Sequence, residues 1–172
     1  MKTMAMVLLV AGFASSLRAA DLAGSFTWVG TAEERAAVEK AVALSADSAN
    51  MLIRPVVRKK LTASTHPYTN ITLSVSNDSV RFNRDFSNRP INGNLAAPPL
   101  AWERDDGKVF QVSYTREGDT LRQTFTDADG TRVNVFAVTP DGAQLTMSVT
   151  IMAGVLKTPV SYTLSYRKTQ GL

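Results

Sequence analysis

Residues 106–142 read DGKVFQVSYTREGDTLRQTFTDADGTRVNVFAVTPDG, and this stretch decides the fold. It contains four acid-glycine pairs spaced 11–12 residues apart: Asp106-Gly107, Glu117-Gly118, Asp129-Gly130 and Asp141-Gly142. Glycine accepts a positive φ and aspartate tolerates one, so such pairs suit the tight turns of hairpins. Between the pairs, β-branched and aromatic residues alternate with polar ones. The spacing therefore predicts an antiparallel meander of successive hairpins.

The segments on both sides of this stretch show the same period of two. Apolar residues alternate with Ser and Thr over 71–76, over 144–151 and over 160–167. One apolar and one polar face is typical of an antiparallel sheet with one side in water. With eight to ten strands, closing the sheet into an up-and-down barrel removes its edges and buries the apolar face. The predicted fold class is therefore mainly β, as a closed antiparallel barrel.

Two helices are predicted between the first strand and the meander. The segment 23–29 alternates aromatic and small residues, which indicates a first strand. Thr31 and Glu34 form a capping box, with Glu34 placed to bond back to Thr31, so a helix should run over about 32–48. Pro55 can begin a second helix over about 55–63. Two helices cannot cover such a sheet, but they can cap one mouth of a barrel.

Residues 1–19 are predicted to be a cleaved signal peptide. A basic start at Lys2 precedes an apolar run over 4–13, too short to span a bilayer, and then small residues up to Ala20. Residues 20–172 are expected to form a single domain that buries its own core. The sequence has no cysteine, so neither a lipobox nor a disulfide is expected. These features predict a periplasmic or secreted protein.

The charge balance argues against nucleic acid as a partner. The chain has 19 Lys+Arg and 15 Asp+Glu, and removing Lys2 and Arg18 with the signal leaves 17 basic residues, a net charge of +2. An electrostatic binder of nucleic acid needs a concentrated basic patch. No cofactor is predicted, and no metal, because no acidic or histidine cluster has the spacing of metal ligands. A monomer is favoured.

Signals for catalysis are few, so no enzyme activity is predicted. His66 is the only histidine, and it lies in a connection where a solvated turn residue is expected. The carboxylates at 105–106 and 127–129 look paired, but they lie at hairpin turns, where aspartate bonds its own backbone. An enzyme would need a polar cleft that gathers such groups from distant segments.

The order of a first strand, a helix-turn-helix and an uninterrupted meander resembles the fatty-acid-binding side of the calycin superfamily. Gly24-Ser25-Phe26 is similar to the Gly-x-aromatic start shared with lipocalins. In lipocalins a Trp after this Gly packs beneath a basic residue of the last strand; here Phe26 takes its place, Trp28 follows, and Arg167 lies in the last strand. The resemblance implies a barrel that binds a small apolar or amphipathic ligand.

The sequence departs from that pattern in the last strand. Fatty-acid-binding proteins often hold a carboxylate with Arg-x-Tyr there, whereas Leu164-Ser165-Tyr166 keeps the tyrosine and has no arginine. The chain also resembles exported bacterial lipocalin-like proteins without an assigned activity, with Arg54-Pro55 and Thr124-Phe125-Thr126 falling in their recurrent segments.

The candidate ligand-binding residues are those expected to point into the barrel: Phe82, Val112, Tyr114, Gln123, Phe125, Met147 and Tyr162. Leu121 and Leu164 are expected beside them, and a plain core role is the alternative for each apolar residue. Gln123 is the most informative, because a buried amide needs a partner: a ligand, a water or a backbone group would each serve. The predicted mechanism is burial of a small molecule in a preformed apolar cavity, oriented by Gln123 and Tyr114.

Four basic residues, Arg54, Arg58, Lys59 and Lys60, form a group in the predicted second helix. They can be a solvated helix face, or a portal that attracts anionic lipid and makes transient contact with a membrane surface.

The alternative function is a protein-interaction barrel, such as a periplasmic inhibitor or assembly factor, with a filled core. Its working surface would be a loop such as the Pro- and Asn-rich segment 88–99, in which a short strand is expected near 90–92. The interior discriminates between the two functions. A continuous cavity of several hundred Å³ faced by Gln123 favours ligand binding, and a barrel packed solid favours interaction.

Overall fold

The computed structural model describes residues 22–76, 78–84 and 89–169. Their elements follow in the order β1 (Gly24–Trp28), α1 (Ala32–Asp47), α2 (Arg54–Ser64), β2 (Asn70–Ser76), β3 (Ser79–Arg84), β4 (Ile91–Asn94), β5 (Leu100–Glu103), β6 (Val109–Glu117), β7 (Thr120–Thr126), β8 (Gly130–Val138), β9 (Gln144–Ala153) and β10 (Val160–Lys168). The predicted mainly β class with a helix pair after the first strand is confirmed. The predicted signal peptide, residues 1–19, and Ala20 lie outside the described residues.

The strands form one antiparallel sheet in the order β4-β3-β2-β1-β10-β9-β8-β7-β6-β5. The first strand pairs with β2 on one side and with β10 on the other, which curls the sheet into a nearly closed barrel. The predicted barrel is confirmed as nearly closed: β4 and β5 end the sheet and do not pair with each other. Pro98 and Pro99 precede β5 and have no N–H to donate to a ladder. Instead the Ala96 N–H donates to the Tyr114 carbonyl at 3.0 Å, which joins the chain after β4 to β6.

Three of the four predicted turns adopt the expected left-handed glycine conformation, with φ of 81° at Gly107, 59° at Gly118 and 72° at Gly142. The fourth differs. At Asp129-Gly130 the turn is made by the Asp127 carboxylate, which accepts the Asp129 N–H at 2.8 Å and the Gly130 N–H at 2.9 Å. The spacing of the acid-glycine pairs therefore predicted this hairpin correctly. Its turn is stabilised by the Asp127 side chain, which bonds nearby backbone N–H groups.

Aromatic side chains meet across the barrel. Strands β3 and β8 lie on opposite walls of the nearly closed sheet. Their inward residues Phe82 and Phe136 are both fully buried, and the two ring centroids are 5.5 Å apart. Tyr68, in the connection after α2, packs edge-on against Phe82 at 6.0 Å. At this level side chains fill the space between the walls.

Glu34 ties the helix pair to the barrel. The Thr31 hydroxyl accepts the Glu34 N–H at 3.2 Å, as predicted for an N-cap. The Glu34 carboxylate does not complete the capping box with Thr31: it accepts the Trp28 indole N–H and the Ser165 backbone N–H, each at 2.7 Å. The carboxylate reaches both donors because β1 ends at Trp28, shortly before α1, and Trp28 is opposite Tyr166, the residue after Ser165 in β10. The other end of α1 is also anchored, since the Ser45 hydroxyl donates to the Thr158 carbonyl at 2.6 Å.

We expect Glu34→Ala to lower the free energy of unfolding by about 1–3 kcal/mol, because it removes a charged acceptor from two partly buried donors. Glu33→Ala is the matched control, since Glu33 is exposed in the same helical turn and should cost less than about 1 kcal/mol. Urea denaturation of both variants measures the difference. Equal midpoints for the two variants would contradict this role of Glu34.

Candidate functional site

All seven candidate ligand-binding residues lie inside the barrel: Phe82, Val112, Tyr114, Gln123, Phe125, Met147 and Tyr162. None is more than 8% exposed, and Leu121 and Leu164, expected beside them, are fully buried. The interior position follows from the alternation of buried and exposed residues along each strand. Their contact with a ligand stays a prediction.

A chain of hydrogen bonds crosses three strands in this interior. The Tyr114 hydroxyl donates to the Ile91 carbonyl at 3.0 Å and accepts from the Gln123 amide at 2.7 Å. The Asn134 amide donates to the Gln123 carbonyl oxygen at 2.9 Å. Register creates this chain, because Tyr114 is directly opposite Gln123 and Gln123 is directly opposite Asn134. The register of the strands therefore gives the Gln123 amide two neighbouring side chains as partners, Tyr114 and Asn134.

The chain continues through Arg132 to the helix cap. The Arg132 Nε–H donates to the Asn134 side-chain oxygen at 2.9 Å, and Nη1 donates to the Ser64 carbonyl at 2.7 Å. Ser64 is the last residue of α2. The Tyr162 hydroxyl reaches the next carbonyl, that of Thr65, at 3.5 Å. The end of α2 is thus held by donors that rise from the barrel interior.

Two arginines line the cap end of the interior. Arg84 continues the inward series Val80 and Phe82 along β3. The guanidinium carbon of Arg84 lies 5.2 Å from the centre of the Tyr68 ring, and that of Arg132 lies 5.6 Å from the same centre. Among the described residues, no carboxylate pairs with either arginine. The sequence analysis missed both, although the period of two along β3 and β8 places them on the inner face.

An aromatic group borders these arginines. Trp102, Phe110 and Phe125 pack together with ring centroids 6.0–6.2 Å apart. The Arg84 guanidinium lies 5.5 Å from the centre of the Trp102 ring. Two buried donors here, Arg84 Nε and Trp102 Nε1, make no hydrogen bond within the part of the chain that the structure describes. Cations, apolar rings and unused donors therefore converge at the cap end.

The predicted basic group lies on the exposed side of α2. Arg54 and Arg58 both pair with Asp47 of α1, at 3.9 and 2.9 Å. Lys59 and Lys60 are exposed. Half of the group is therefore engaged in holding the two helices together.

The connection between the helices exposes apolar side chains that the sequence analysis did not single out. Met51 is 75% exposed, Leu52 85%, and Val56 in the first turn of α2 59%. They lie next to the basic group. The tip of the helix pair, formed by the connection between the helices and the first turn of α2, therefore exposes apolar side chains beside basic ones.

The carboxylates that looked paired are used by the turns. Asp106 accepts the Lys108 N–H at 3.2 Å, and Asp127 accepts the Asp129 and Gly130 N–H groups at 2.8 and 2.9 Å. Over residues 22–76, 78–84 and 89–169, no three His, Asp or Glu side chains gather as a metal site. None of the helices in that part of the chain is long and apolar enough to cross a membrane.

Comparison of the fold with solved structures finds calycin barrels. The chain is similar to the REP1-NXSQ fatty acid transporter, with a TM-score of 0.55 and 18% identity over 90% of this chain and 100% of that one. It is also similar to lipid binding protein 8 of Caenorhabditis elegans (TM-score 0.53, 12% identity, 86% and 94% covered). The fluorescent protein UnaG gives a TM-score of 0.55 at 13% identity, with 86% and 97% covered. The predicted resemblance to the fatty-acid-binding side of the calycin fold is confirmed.

No protein-family model and no curated protein matches the sequence. The similarity is therefore one of fold, and the site has to be interpreted from its own residues.

Burial raises the pKa of the Tyr114, Tyr162 and Tyr166 hydroxyls above the ordinary tyrosine value. The folded protein keeps these protons at a pH at which the unfolded chain releases them. Stability should therefore be unaffected by them below about pH 10 and fall as the pH rises above it, by about 1.4 kcal/mol per pH unit for each tyrosine that stays protonated. Urea unfolding at a series of alkaline pH values measures this slope.

Tyr114→Phe is the control for this assignment. Above about pH 10, its free energy of unfolding should fall less steeply with pH, by the contribution of one tyrosine. Tyrosinate absorbance should appear mainly as the chain unfolds. Release of all tyrosine protons from the native protein near their ordinary pKa would contradict the buried positions.

Proposed function

We propose that the protein binds a small amphipathic anion at the cap end of its barrel, with the anionic group on Arg84 and Arg132. The observation that carries this proposal is the pair of guanidinium groups on the Tyr68 ring with no carboxylate partner in the described part of the chain. Charge withdrawn from water is costly unless it is paired. A ligand anion supplies that pairing, and planar guanidinium groups suit carboxylates and phosphates.

The apolar part of the ligand would pack on the rings of Trp102, Phe110 and Phe125. The Trp102 ring adjoins Arg84, and Trp102 and Phe110 are only partly buried, so both side chains retain some accessible surface. The unused Trp102 indole N–H offers one more donor for the anionic group. The contact between Phe82 and Phe136 limits the depth of the site. The proposed ligand is therefore small enough to fit at the cap end and does not extend along the whole barrel.

We expect Arg132→Met to weaken binding of decanoate, a simple amphipathic anion, about tenfold or more, because a charge-assisted contact is lost. Arg122→Met is the matched control, since Arg122 is exposed on the outer face of the neighbouring strand β7. Heteronuclear NMR of the Trp102 indole N–H during titration measures binding. Equal affinity in the two variants, or no response of Trp102 in the unchanged protein, would contradict the proposal.

We also propose that the tip of the helix pair makes transient contact with anionic membranes. Met51, Leu52 and Val56 supply apolar surface, and Lys59 and Lys60 supply positive charge. A surface that combines the two is typical of segments that lie on anionic bilayers. The contact would bring the cap end of the barrel next to a source of amphipathic molecules.

Leu52→Asp should lower binding to phosphatidylglycerol vesicles about fivefold or more. It removes apolar area that the bilayer would bury, and it adds a negative charge that the anionic lipids repel. Leu100→Asp is the control, since Leu100 is 49% exposed in β5 and lies away from the helices. Vesicle co-sedimentation at low ionic strength compares the variants. If both retain full binding, the helix tip is not the contact.

The alternative, a protein-interaction barrel, is favoured by one observation, the filled middle of the barrel at Phe82 and Phe136. It predicts that Arg132→Met leaves binding of every small anion unchanged. Export to the periplasm or medium remains a proposal that rests on the signal sequence over residues 1–19.

A further inference from the structure

A second concave site lies outside the barrel, between α1, α2 and the end of β1. It is a groove of about 450 Å³, called here the helix groove, with an apolar floor made by Trp28, Val38, Val42, Ala43 and Pro67. Thr65 separates it from the barrel interior: Thr65 lines the groove, while its carbonyl faces Tyr162 on the other side. The helix groove is therefore distinct from the site of Arg84 and Arg132.

The floor of the helix groove is held in place before any ligand arrives. The Trp28 indole donates to the Glu34 carboxylate at 2.7 Å, and the Arg35 guanidinium lies 5.2 Å from the centre of the Trp28 ring. Both ends of α1 are anchored to the barrel, as described above. A preformed site loses little conformational entropy on binding, so more of the contact energy appears as affinity.

The rim of the helix groove favours an anion. It carries two guanidinium groups, from Arg35 and Arg58, and the His66 imidazole, against the single carboxylate of Glu39. The Arg58 charge is shared with Asp47, whereas no carboxylate pairs with Arg35 among the described residues. Arg35, stacked on the indole, is thus the group best placed to meet a negative charge above an apolar surface.

The size of the helix groove favours a small molecule over a partner helix. On the order of fifteen water molecules occupy the same volume in the liquid. That is within the range of small-molecule sites, and it accommodates only about one turn of an α-helix with its side chains.

We propose that the helix groove is a second binding site, which takes a small apolar molecule carrying one anionic group. The apolar part lies on Trp28, Val42 and Ala43, and the anionic group meets Arg35. This site operates whether or not the interior site is occupied.

The two tryptophans of the chain report on the two sites separately, because Trp28 lies in the helix groove and Trp102 in the interior. The test is a titration with naphthalene sulfonate, followed by NMR of the two indole N–H signals, which Trp28→Phe and Trp102→Phe assign. The Trp28 signal should shift to saturation. Ala43→Phe fills the groove and should weaken this binding tenfold or more, while Ala36→Phe on the exposed face of α1 should leave it unchanged.

Arg35→Gln gives a second variant that does not depend on repacking, since Arg35 is exposed. It should also weaken binding severalfold, whereas Arg81→Gln on the outer face of β3 should not. A Trp28 signal that does not move, or equal effects of Ala43→Phe and Ala36→Phe in folded protein, overturns the proposal. A response of Trp102 alone overturns it while supporting the interior site, so the two proposals fail separately.

Discussion

The hydrogen bond from the Tyr114 hydroxyl to the Ile91 carbonyl holds the open side of the barrel together. Strands β4 and β5 end the sheet, so this side lacks the ladder that joins every other pair of neighbouring strands. Besides the backbone bond from Ala96 to Tyr114, the Tyr114 side chain reaches from β6 to β4. Its ring lies so close to Gly93 that an added Cβ would be 2.5 Å from it. Gln123 then fixes the hydroxyl by donating to it.

The same hydrogen-bond chain sets the position of the helix cap, because its last member, Arg132, bonds the final carbonyl of α2. A guanidinium has five N–H donors. Arg132 uses Nε for Asn134, one Nη1 donor for Ser64 and a further donor for the Tyr162 hydroxyl, so two of its five donors remain. A head group can therefore bind beside this contact without breaking it. The proposed ligand contact would therefore be compatible with cap attachment by the same side chain, whose orientation is set by Asn134 of β8 and Gln123 of β7.

Local sequence patterns were sufficient to predict the helices and strands, but they were not sufficient to predict the candidate site. Acid-glycine pairs and alternation are local signals, so they located the hairpins, including the one at Asp129-Gly130 where the turn chemistry differs. The Tyr114–Gln123–Asn134 chain depends on which residues are opposite each other across two strand pairs. That register is set by the whole sheet. Arg84 and Arg132 were predictable from alternation alone, but charged residues on an inner face contradict the expectation of an apolar core.

Fold alone leaves the ligand open, since a fatty acid transporter and a fluorescent protein share this barrel with the present chain at 18% and 13% identity. The interior of this chain has to be described from its own residues. Phe82 and Phe136 meet in the middle of the barrel, and the Arg84 and Arg132 side chains lie at its cap end. There Arg84 and Arg132, which pair with no carboxylate among the described residues, lie on the Tyr68 ring, and Arg84 also lies on the Trp102 ring. Because a cation without a partner is costly to withdraw from water, its retention at this end favours an anionic ligand over a purely apolar one.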